Sequence, residues 1–68
     1  MKLELTINGK DYSFDAELTG SELLKELEIV PSTVVVELNR EIVRREDFLE
    51  RRLASGDSLE LVTIVGGG

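Results

Sequence analysis

The sequence predicts an α+β fold, a mixed sheet with one main helix packed across one face, and three observations carry that prediction. Alternating apolar residues run up to Asn8-Gly9 and resume after it; a capping quartet, Thr19-Gly20-Ser21-Glu22, precedes a leucine stripe; and strand patterns return after Pro31 and again near the carboxyl end. The 68 residues allow one domain, and their 41% hydrophobic content has to be shared between a sheet and a helix in a single core. With no cysteine or histidine, the chain has no disulfide or zinc staple and lacks the usual side chains for metal and nucleophilic chemistry. Little core is left over for a deep pocket.

Leu3, Leu5 and Ile7 alternate with Lys2, Glu4 and Thr6, the period of a strand with one buried face. Asn8-Gly9 tolerates the positive φ angles of a type I′ turn, so the chain returns antiparallel through Tyr12 and Phe14, which at strand spacing belong to the core. Thr19 and Glu22 form a capping box; Leu23, Leu24 and Leu27 supply the buried stripe of the helix, and Glu22, Lys25 and Glu26 its wet face. Pro31 disfavours helical geometry at Val30 and ends the helix by about Ile29. Val34, Val36 and Leu38 make a third strand, and Val35 within it points to burial on both faces and a central position. Asn39-Arg40 turns the chain into a short strand, Glu41 to Val43, before a helical turn or short helix within 46–53. Ser55-Gly56-Asp57 is another turn, and Leu59, Leu61, Val62, Ile64 and Val65 form the last strand. This order permits a β-grasp arrangement, with the first and last strands side by side and parallel at the centre. Residues 1–65 are then the domain and 66–68 a flexible glycine tail.

The formal charge of −6, from 14 acidic and 8 basic residues, argues against nucleic acid and anionic membrane as partners and favours a protein with a basic surface. No apolar run approaches the roughly 20 residues needed to cross a bilayer, and Met1 is not followed by a secretory signal pattern, so a cytoplasmic location is expected. Arg40, Arg44, Arg45, Arg51 and Arg52 crowd one segment, but Glu41, Glu46, Asp47 and Glu50 are interleaved with them, as on a solvated face with exposed ion pairs. No two carboxylates stand at a catalytic or calcium-loop spacing.

Gly66-Gly67-Gly68 is the feature that bears on function. At an average glycine usage of about 7%, three in a row at a chosen place arise in roughly 3 of 10,000 sequences, so chance is a poor explanation. Lacking Cβ atoms, glycines make a thin strand that threads a narrow channel and delivers a terminal carboxylate to a buried catalyst.

Together with Asn8-Gly9, Ser21-Glu22-Leu23-Leu24-Lys25-Glu26-Leu27 and Leu38-Asn39-Arg40-Glu41-Ile42-Val43, the stretch Gly56-Asp57-Ser58-Leu59-Glu60-Leu61-Val62 running on to Val65-Gly66-Gly67-Gly68 resembles the ThiS family. These are ubiquitin-like sulfur carriers of thiamin biosynthesis, and the resemblance covers essentially the whole chain. Family members commonly have a proline after the segment ending at Val43 and a tryptophan a few positions on, where this chain has Arg44 and Phe48. Both departures lie outside the tail and bear on partner choice more than on chemistry.

The resemblance implies a protein cosubstrate, not an enzyme. An E1-like adenylyltransferase of the ThiF type, using ATP and magnesium, would adenylate the Gly68 carboxylate; a sulfur donor would displace AMP; and the thiocarboxylate would deliver sulfur to a thiazole synthase of the ThiG type. Gly68 would carry the sulfur, with Gly66 and Gly67 giving access to the partners' active sites, and no cofactor or metal would be held by this chain. Related carriers that serve molybdopterin, cysteine or tRNA thiolation, a conjugating protein joined through Gly68 to a lysine, and a noncovalent ubiquitin-like interaction module stay open as alternatives.

Overall fold

A computed structural model describes residues 2–64. Strands β1 (Leu3–Ile7) and β2 (Lys10–Phe14) pair antiparallel from Leu3↔Phe14 to Ile7↔Lys10. Asn8 and Gly9 join them with φ angles of 51° and 81°, the two positive values that a type I′ turn requires. Leu3, Leu5 and Ile7 are buried. Tyr12 and Phe14 lie opposite Leu5 and Leu3 on the same face, half-buried against the core with their rings stacked 6.4 Å apart.

Helix α1 (Gly20–Glu26) starts as its capping box predicts. The Glu22 N–H donates to Thr19 Oγ1, and the Thr19 N–H donates to Glu22 Oε1 at 2.9 Å. It stops earlier than Pro31 alone would dictate. Glu28 adopts φ 58°, the Ile29 N–H donates to the Leu24 carbonyl, and the Glu28 N–H donates to the Lys25 carbonyl, the paired bonds of a Schellman motif. Glycine usually fills that position; with glutamate there, the sequence gives no sign of the stop. Pro31 instead opens a 3-10 turn, Pro31–Thr33.

The remaining elements are β3 (Val34–Leu38), β4 (Glu41–Val43), α2 (Arg45–Glu50) and β5 (Ser58–Thr63), in a five-stranded sheet of order β2-β1-β5-β3-β4. β1 and β5 are parallel and the other pairings antiparallel, so the expected neighbours are found. β5 is the middle strand. β3, expected to be central, lies one place from the edge, and Val35 is 36% exposed, so the expectation of burial on both faces does not hold. The β-branched residue there serves a sheet surface that no second layer of the described residues covers. On the covered face Leu23 and Leu24 of α1 and Phe48 of α2 close the core over Leu59 and Val36. The Gly20 N–H donates to the Arg51 carbonyl and the Leu53 N–H to the Leu18 carbonyl, which binds the start of α1 to the segment leaving α2.

Candidate functional site

Val65, Gly66, Gly67 and Gly68 lie outside the described residues, so the site is built here from the strand that leads to them. β5 is flanked on both sides. On the β3 side it pairs from Leu38↔Leu59 to Val34↔Thr63, and the Ile64 N–H donates to the Thr33 carbonyl at 2.6 Å. On the β1 side only Thr6↔Ser58 and Ile7↔Leu59 are Cα partners, and the ladder is lengthened at each end by a side chain. Ser55 Oγ accepts the Glu4 N–H at one end. At the other the Asn8 amide grips Leu61: the Leu61 N–H donates to Oδ1 at 2.7 Å, and Nδ2 donates to the Leu61 carbonyl at 3.2 Å.

Asn39 holds β5 from the opposite flank and at its opposite end. It shares the positive φ of its turn with Arg40, at 51° and 72°, and its Oδ1 accepts the Ser58 N–H at 2.9 Å while Nδ2 donates to Asp57 Oδ1. Asp57 Oδ2 also accepts the Ala54 N–H, which fixes the turn ahead of β5. Sequence reasoning read both asparagines as turn formers only. Asparagine tolerates the left-handed region, but so does glycine; the choice of an amide over glycine at both places was the available signal.

The outer face of the sheet changes character along β5. Val35↔Val62, Glu37↔Glu60 and Glu37↔Ile42 are cross-strand partners and therefore share that face. Val62 (59%) and Ile64 (51%) are exposed, with Val35 beside Val62, so an apolar surface adjoins the tail end of β5. Glu37 and Glu60, next to Val35 and Val62 along the same face, place negative charge beside it. The arginines of 40–52 do not join it as a cluster. Arg44 pairs with Glu46 at 3.5 Å and Arg52 with Glu17 at 3.0 Å, both well exposed and of the kind worth about 0–1 kcal/mol. Among the described residues, no three acidic side chains converge as a metal site would, and no helix is long and apolar enough to cross a membrane.

A parallel β1–β5 centre, a helix over one face and an open outer face define a ubiquitin-like β-grasp protein. Comparison with known proteins narrows the class. The ThiS family model matches residues 5–68, and the chain belongs to that family. It is 37% identical over 65 residues to the sulfur carrier protein ThiS of Bacillus subtilis, covering 94% of this chain and 98% of that one. It is 39% identical over 66 residues to a thiazole synthase of Paramagnetospirillum magneticum, but there 97% of this chain spans only 20% of the relative's length. The crystal structure of a thiamine biosynthesis protein, ThiS, from Geobacter metallireducens superimposes with a TM-score of 0.80 at 38% identity, covering 97% of this chain and 100% of that one.

Proposed function

We propose that the protein is the sulfur carrier for thiazole formation in thiamin biosynthesis, acting as a cosubstrate through the carboxylate of Gly68. The observation that carries this reading is the continuity between the middle strand of a ThiS-type fold and a Gly66-Gly67-Gly68 ending. An E1-like adenylyltransferase of the ThiF type, using ATP and magnesium, joins the carboxylate to AMP and releases pyrophosphate. A sulfur donor then attacks the carbonyl carbon and AMP leaves with one of the original oxygens. Activation is needed because a carboxylate oxygen is a poor leaving group, whereas an adenylate departs readily once cationic groups stabilise its charge. Those groups and the metal belong to the partner.

A thiazole synthase of the ThiG type is the acceptor on this reading, supported by the match between this chain and part of the Paramagnetospirillum thiazole synthase. The apolar end of the outer face, at Val62 and Ile64, is the docking surface for the adenylyltransferase. The strand that bears it runs directly to the tail, so a partner that takes up the tail is brought against this end of the sheet, and the acidic residues beside it suit a basic partner surface. A cytoplasmic location fits a carrier that both enzymes must reach.

The experiment is an intact-mass measurement, with carboxy-terminal fragmentation, after incubation with ATP, magnesium, a sulfur source and cell extract. Replacement of one oxygen by sulfur at Gly68 is expected. An unchanged carboxylate, in an extract that converts a known carrier, would leave the interaction-module reading in its place.

A further inference from the structure

We propose that Asn8 is a positioning residue for the carboxy-terminal tail: its side-chain amide replaces the strand residue that β1 lacks and holds the root of the tail in the sheet. The proposal rests on the carrier reading above.

β1 ends at Ile7, and at Asn8 the backbone turns away into the hairpin with φ 51°. The Asn8 N–H still donates to the Leu59 carbonyl at 2.9 Å, the last main-chain bond of the parallel ladder. From there the strand direction continues only in the side chain. A primary amide offers an acceptor and a donor side by side, as a strand residue does, and Asn8 presents them to the N–H and carbonyl of Leu61 at 2.7 and 3.2 Å in a part-buried setting. β5 is thereby gripped on both flanks as far as Leu61; past it, β3 and Thr33 hold it on one flank.

Leu61 stands seven positions before Gly68. A strand held on one flank opens more readily than one held on both. Without the Asn8 grip, opening at Leu61 leaves the residues up to Ile64 for an activating enzyme to order before the carboxylate meets ATP. That ordering entropy is charged to the activation step. Docking through the outer face would be left largely as it was, so the loss should appear in kcat for adenylation and not in KM.

Turn formation and tail positioning are separable because glycine satisfies the positive φ at residue 8 but has no amide to offer. Asn39 supplies the matched control, since Asn39→Gly removes an equivalent amide from the far end of β5. The two variants are compared with wild type by urea unfolding, amide hydrogen exchange from Leu61 to Ile64, and pyrophosphate exchange with the adenylyltransferase of the same organism. Asn8→Gly is expected to speed exchange in that segment and lower kcat about tenfold with KM within about twofold. Asn39→Gly should leave both readings near wild type at a similar loss of stability. Asn8→Asp, which keeps the acceptor and loses the donor, should fall between. Equal effects of Asn8→Gly and Asn39→Gly on kcat, or a wild-type kcat in Asn8→Gly, would overturn the proposal. A wild-type chain that is not adenylated at all would overturn the carrier reading itself, and this proposal with it.

Discussion

A Cβ atom built on Gly20 would lie 2.0 Å from the Phe48 carbonyl oxygen and 2.8 Å from its Cδ2, so the first turn of α1 and the middle of α2 touch where only a hydrogen fits. Phe48 is 1% exposed and among the largest side chains of the core, and its backbone is tied down by the N–H bond from Phe48 to Arg44. Neither partner can retreat cheaply. Helix propensity alone would make Gly20→Ala stabilising by up to about 1 kcal/mol, but overpacking against fixed backbone costs roughly 1–3 kcal/mol or more. Gly20→Ala is therefore expected to lower the urea midpoint with m unchanged. An unchanged or raised midpoint would show that the two helices can part without loss.

Glu28 sits at φ 58° in the Schellman motif that ends α1, a conformation that glycine adopts without steric cost. Glu28→Gly should stabilise the fold by about 0.5–1 kcal/mol, read as a rise in Tm. A fall would mean that the glutamate side chain contributes more than its backbone costs.

Glu37 and Glu60 face each other directly across β3 and β5 on the outer face. Like charges so placed weaken a sheet, with cross-strand pairs contributing about 0.2–1 kcal/mol. Glu60→Gln should raise stability by an amount in that range at low salt, and the gain should shrink as salt approaches about 1 M, where screening reaches roughly 3 Å. A gain that does not depend on salt would assign the effect to something other than charge.

Ile64 is half exposed, and its main-chain N–H serves the bond to Thr33 whatever the side chain. Ile64→Lys should change stability by no more than about 0.5 kcal/mol. If the outer face docks the activating enzyme, the same substitution raises KM for adenylation about tenfold and spares kcat. An unaltered KM would move the docking surface elsewhere.

The features legible in the sequence are those whose cause is local. Asn8-Gly9 gave the hairpin, Thr19 and Glu22 the helix start, and Ser55-Gly56-Asp57 the turn into the last strand, because each depends on residues within four positions of one another. Alternation in β1 and β5 was enough to place Leu3, Leu5, Leu59 and Leu61 inside. What could not be read depends on residues far apart in the chain. Phe48 is a core residue because α1 and β3 both pack against α2, and the grip of Asn8 on Leu61 spans 53 positions. Val35 misled for a related reason: a β-branched residue suits an open sheet face as well as a buried one, and only the layer count separates the two.

β5 is the last described strand in sequence and the middle one in space. A chain growing from its amino end therefore carries β1 with β2, and β3 with β4, as two hairpins that cannot join until residues 58–63 arrive between them. Sheet closure waits on contacts of the longest sequence separation, the kind that slows folding. Until then the apolar faces of both hairpins stand open, so a chain cut short before β5 would be a substrate for chaperones and proteases. Completion of the sheet and delivery of the tail are one event.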